Sequence, residues 1–159
     1  MLSLIHVALS VVCLFVGAII FFRPKGSKWH RRAGKIYSIS MIVLNVAALG
    51  IFHLTGRLNL FHIMSILNLV LVGVGWAQIM FRRRLRNWVY RHYVYMSWSY
   101  VALVAAAINE GFVRLPPLKG IVRRNGNWVI IATQVVLIFV AAILINRNKE
   151  RMVRAFQAS

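Results

Sequence analysis

Five histidines, one cysteine and two acids are the chain's stock of residues able to bind a metal or exchange a proton near neutral pH. They are His6, His30, His53, His62 and His92, Cys13, and Glu110 and Glu150. The histidine spacing carries a pattern. Leu2-Ser-Leu-Ile-His6-Val reads against Leu58-Asn-Leu-Phe-His62-Ile, and the same offset superposes Val16-Gly17 on Val72-Gly73. A somewhat longer second connection then superposes His30 on His92. Four histidines fall into two pairs, His6 with His62 and His30 with His92. His53 has no counterpart and reads as interfacial.

Two imidazoles at matched depth, opposed across a slot, are what bis-histidine ligation of b-type haem in a helical bundle requires. The same donors suit Cu or Zn. His30 and His92 would be inner ligands, His6 and His62 outer ones. The function this predicts is redox or quinone-linked electron transfer. Glu110, the only acid inside an apolar run, offers an alternative outer metal site with His6 and His62, or a carboxylate that orients an imidazole. A flat macrocycle needs small residues beside it. Gly17, Gly34, Gly50, Gly73 and Gly75 are available, although close helix packing uses glycine equally well. Each histidine alone is also an ordinary helix-end residue. From His30 to His53 is about 34 Å of helix at 1.5 Å per residue, so one occupied site serves as well as two. Cys13 reads as a small buried apolar residue, and a lone cysteine excludes an internal disulfide. No paired carboxylate, phosphate-cradling glycine loop, nucleophile elbow or HExxH motif is present.

The elements that must position these residues are membrane helices. Of 159 residues 60% are apolar, and the mean hydropathy is +0.72. So little polarity cannot coat a water-facing surface. Spanning takes roughly 20 apolar residues, and five runs come close: 2–22, 36–54, 60–81, 93–113 and 127–146. The first lacks the basic start and small-residue cleavage site of a signal peptide, so it reads as a retained helix. The predicted fold is all-α: a bundle of two repeated hairpins, 1–55 and 57–113, then an outer loop 114–126, a fifth helix 127–146 and a basic tail 147–159. Both hairpins start on one side, so the repeat is parallel, with a pseudo-twofold axis along the membrane normal. Asn45 and Asn68 fall mid-membrane, where interhelical hydrogen bonds account for them. Trp29, Trp88, Tyr90 and Trp128 fit an interfacial aromatic belt.

The formal charge is +18, from 20 Lys and Arg against two acids. In a soluble protein that would point to nucleic acid. Here 15 of the 20 lie in three segments on one side of a five-span topology, Arg23–Lys35, Arg82–Arg91 and Arg147–Arg154. The rest, Arg57, Arg114, Lys119, Arg123 and Arg124, lie on the other. The positive-inside rule puts the N-terminus outside and the C-terminus in the cytoplasm. Anionic lipid head groups are the expected partner of the basic face. A small, basic, loop-poor chain with a separable fifth helix also suits a non-catalytic accessory subunit or assembly factor of a larger membrane complex.

Two stretches resemble a bacterial membrane protein family known as domain of unknown function two-three-zero-six. One is His30-Arg-Arg-Ala-Gly34-Lys-Ile-Tyr37, similar to the family's His-Arg-x-x-Gly-x-x-Tyr. The other is Arg91-His92-Tyr-Val-Tyr-Met96-Ser-Trp-Ser-Tyr100, similar to its His-Arg-x-Trp-Met-x-Arg-Ser-Tyr, with Tyr93 and Tyr95 in place of the usual Arg and Trp. The resemblance covers roughly 1–115. It implies a multi-helix fold, histidines that matter and a bacterial cytoplasmic membrane, with no established activity. The arrangement is also loosely similar to ascorbate-reducible cytochrome b, where facing helices hold haem at each leaflet. That likeness is one of fold alone.

The charge asymmetry makes the topology testable. In a background lacking Cys13, a cysteine replacing Lys119 reacts with an impermeant thiol reagent applied outside, and one replacing Arg84 does not. The reverse labelling overturns the orientation.

Overall fold

The computed structural model describes residues 2–23, 25–50 and 60–157. His53 and the turn expected at Thr55-Gly56-Arg57 lie outside them. The described residues form helices α1 (Leu2–Phe22), α2 (Lys28–Leu49), α3 (Leu60–Met80), α4 (Trp88–Arg114), α5 (Pro116–Asn125) and α6 (Trp128–Gln157). All but α5 are long and apolar enough to cross a membrane.

Local chemistry sets the ends. Lys25 folds back so that its ammonium donates to the last carbonyls of α1, those of Ile20 and Phe21, and lies over the Phe21 ring. Burial there pushes the Lys25 pKa down. Gly26 takes a positive φ of 79°, and Ser27 then caps α2, its Oγ accepting from the His30 amide at 3.1 Å. Before α4, Asn87 sits at φ 58°, a left-handed conformation that asparagine tolerates better than most residues.

The stretch 114–126, expected as a loop, is largely helical. Pro116 and Pro117 occupy the first turn of α5, where a missing N–H costs nothing, so they start a helix rather than break one. Gly126, at φ 73°, ends it. The expected basic tail is also helical, because α6 continues through Gln157. Propensity explains this, since 147–157 holds neither Pro nor Gly.

The first four helices form a ring. α1 packs on α2, α2 on α3, α3 on α4, and α4 closes on α1. Thus α1 lies diagonal to α3, and α2 to α4. α6 lies outside the ring against α4 and α5. It is tied there by Gln134, whose amide donates to Asn109 Oδ1 at 2.8 Å and to the Ala105 carbonyl at 3.3 Å. The ring's centre is Cys13, Tyr37, Met41, Leu44, Val72 and Leu103. Two tyrosines cross it. Tyr37 of α2 shares a 3.1 Å hydrogen bond with Ser99 of α4, and Tyr100 of α4 donates to the Leu14 carbonyl of α1 at 3.1 Å.

Those tyrosines explain a glycine. A Cβ on Gly17 would stand 2.5 Å from two Tyr100 ring carbons and 3.1 Å from Tyr37. The Tyr100 ring cannot swing away without giving up its bond to Leu14. Gly73, by contrast, has open space around it. Gly17→Ala should therefore destabilise the bundle by about 1–3 kcal/mol, as overpacking does, while Gly73→Ala is near neutral. Thermal unfolding of both variants in detergent checks this, and equal melting temperatures contradict it.

Candidate functional site

The histidines occupy the two ends of the ring. At the end carrying most of the basic residues, here the basic end, His30 stands in the first turn of α2 and His92 in the second turn of α4. His92 Nδ1 lies 2.8 Å from the Gly75 carbonyl of α3. The carbonyl can only accept, so Nδ1 carries the proton and Nε2 keeps its lone pair. His30 is within electrostatic range of His92. Its Nδ1 is buried and has no hydrogen-bond partner among the described residues. The structure thus brings His30 and His92 to one end of two diagonal helices.

At the opposite end, His6 Nδ1 lies 3.2 Å from the Leu44 carbonyl of α2, again leaving Nε2 as the lone-pair nitrogen. His62 opens α3 and is 2% exposed. Glu110 stands at this end too, near the end of α4, where its carboxylate pairs with Arg114 one turn on and both side chains are exposed. Among the described residues, no three His, Cys, Asp or Glu side chains converge as a metal centre.

The glycines divide by role. Gly17 and Gly75 admit close packing, since a Cβ on Gly75 would meet the Met96 sulfur at 2.7 Å. Gly34, one turn along α2 from His30, faces open space. Cys13 is fully buried in the core.

Sequence reasoning passed over a set of neutral polar residues. Ser65 and Gln78 of α3, Ser38 of α2, and Ser97 and Ser99 of α4 are all buried, as are Asn45 and Asn68. The signal was present on α3, where His62, Ser65, Asn68, Val72, Gly75 and Gln78 recur every three or four residues and so share one face. Asn45 also departs from expectation. Its amide donates to Met41 of its own helix at 2.7 Å rather than to a neighbour.

Because Glu110 is solvated and paired only within its helix, Glu110→Gln should shift stability by no more than about 0.5 kcal/mol and leave metal content unchanged. Loss of a bound metal in that variant, read by elemental analysis, contradicts this placement.

The family described as predicted membrane protein (DUF2306) matches residues 3–147 of this chain. No curated protein and no solved structure matches it. The family match spans both histidine motifs and reaches all five membrane-length helices, ending at Arg147 within α6. The chain belongs to the predicted membrane protein family DUF2306.

Proposed function

We propose that this membrane protein holds b-type haem, or a transition metal such as Cu or Zn, between His30 and His92, and passes electrons at the basic end of its bundle. The hydrogen bond from His92 Nδ1 to the Gly75 carbonyl carries the reading. Metal-bound histidines are commonly oriented this way, by a bond from the other ring nitrogen. That bond fixes the tautomer and raises the basicity of Nε2. His30, with its buried and unpartnered Nδ1, supplies a second donor across the bundle.

The residues fit such a group at one end only of each helix pair. The middle of the ring is closed, because Cys13, Met41 and Val72 have no exposure. Gly34, one turn from His30, carries no side chain to crowd a group held there, and a Cβ at that position would meet nothing within 4 Å. When bound, the iron supplies one-electron redox chemistry. The chain supplies position: Gly75 holds His92, and the apolar centre keeps water from the buried side. A lipid-soluble quinone is the matching class of electron partner. His6, held by the Leu44 carbonyl, and buried His62 form the second candidate pair at the opposite end.

A second reading, an accessory subunit or assembly factor, draws on α6. It lies outside the ring and turns Val135, Val136, Phe139 and Leu144 outward, a face that lipid or another membrane protein covers. Either way, the basic end faces the cytoplasm of a bacterial inner membrane in this proposal, against anionic lipid.

The test is cofactor content per protein. Wild type purified from cells supplied with haem and metals shows a Soret band or stoichiometric metal. His30→Ala and His92→Ala each abolish it, and the double variant adds little, because residues acting as a pair are non-additive. His6→Ala, at the far end, is closer to additive with either. Wild type that purifies without haem or metal ends the ligand reading, and fixed-stoichiometry co-purification with another membrane protein then supports the second.

A further inference from the structure

The inward face of α3 is more polar than its lipid face. Ser65, Asn68 and Gln78 are buried, while Ile63, Met64, Ile66, Leu67 and Val70 turn outward. Lipid favours that inversion only if the interior offers hydrogen-bond partners. Yet Asn68 Oδ1, Gln78 Oε1 and Ser38 Oγ are buried with no partner among the described residues. A buried polar group without a partner bears its desolvation cost uncompensated, and polar residues inside membranes mark ion and proton routes.

The orphaned oxygens lie at different depths. At 1.5 Å per residue, Gln78 is about 3 Å along α3 from its basic end, Ser38 about 15 Å along α2, Asn68 about 18 Å and His62 about 27 Å. At the level of Ser38, the Tyr37 hydroxyl meets Ser99 Oγ, which in turn donates to the Met96 carbonyl at 2.8 Å. Tyr37 packs in the same core cluster as the fully buried Cys13, Met41 and Val72. Among the described residues, every buried polar side chain is neutral or a histidine. A lining without fixed charge holds no counter-charge for a metal cation or an anion. Hydroxyls, amides and water can relay a proton, each accepting one and releasing another.

We propose that the interior of the four-helix ring is a proton path between the two membrane faces, lined by Gln78, Ser38, the Tyr37–Ser99 pair, Asn68 and Ser65, with hydroxyl groups in place of water at its closed middle. The net event is movement of one proton from one face to the other, with no other change. It requires no bound haem or metal and stands apart from the histidine-ligand reading.

Purified full-length protein in liposomes loaded with a pH-sensitive dye tests it, with a potassium diffusion potential driving proton entry. Wild type should acidify the lumen several-fold faster than protein-free vesicles. Asn68→Leu and Gln78→Leu should bring the rate down to the protein-free level, while Asn68→Ser and the lipid-facing Leu67→Ala keep it. Both Leu variants remove a buried oxygen without a partner among the described residues, so helicity by circular dichroism and monodispersity should be retained. Wild-type rates equal to protein-free vesicles overturn the proposal. So do well-folded Leu variants that conduct like wild type, and osmotic water flow without proton entry.

Discussion

A helix bundle in lipid gains nothing from hiding Leu and Val, because the surrounding chains are as apolar as they are. Packing and interhelical hydrogen bonds must hold it together instead. Among the described residues such bonds are spread over the ring. His6 reaches the Leu44 carbonyl from α1 to α2, and His92 reaches Gly75 from α4 to α3. Tyr37 reaches Ser99 from α2 to α4, and Tyr100 reaches Leu14 from α4 to α1. The glycines follow from these clasps, since Tyr100 lies where a Gly17 side chain would have to be. The inward polar groups of α3 follow from the same constraint, for only the interior can hydrate or pair them.

Two of the clasps are made by histidines, and this joins structure to chemistry at one atom. A ring nitrogen that donates to a carbonyl stabilises the helix pair and also commits the other nitrogen to its lone-pair form. The clasp at Gly75 therefore makes His92 a ready ligand whether or not selection ever used it as one. Loss of His92 would weaken α3–α4 packing as well as any site. For that reason cofactor content per folded protein, rather than yield, separates the two roles.

Much of the architecture was legible because membrane helices are a compositional signal. Uninterrupted apolar runs placed all five spans, and the short connections after α1 and α3 made antiparallel neighbours of each hairpin. Pro116-Pro117 misled, since proline reads as a breaker but also starts helices. The end of α6 was missed because charge was read as tail when nothing in 147–157 stops a helix. In the site, His30 and His92 could be paired from their sequence offset. Gln78 was legible only through the recurrence along α3, and Ser38 and Ser99 could not be singled out, because a lone neutral polar residue in an apolar run is ambiguous until its facing is known. The motif tyrosines Tyr37 and Tyr100 were visible only as part of a resemblance. Their packing against Gly17 and their bonds across the ring give them a physical role.

The two hairpins, superposed by their offset, differ where it matters for a site. The carbonyl corresponding to Gly75 is that of Ile19, so His30 would mirror His92 by donating to the end of α1. That end is instead closed by Lys25, which donates to the neighbouring carbonyls of Ile20 and Phe21. Ser27 meanwhile fixes the backbone of His30 through its amide, not its ring. One member of the basic-end pair is thus clasped, and the other has a buried ring nitrogen left over. A symmetric pair would hold both rings with both tautomers set. Here the Gly75 carbonyl of α3 sets the ring of His92, while His30 Nδ1 has no such partner among the described residues. Duplication alone would not have produced that difference. Lys25 and Ser27, in the short connection before α2, do.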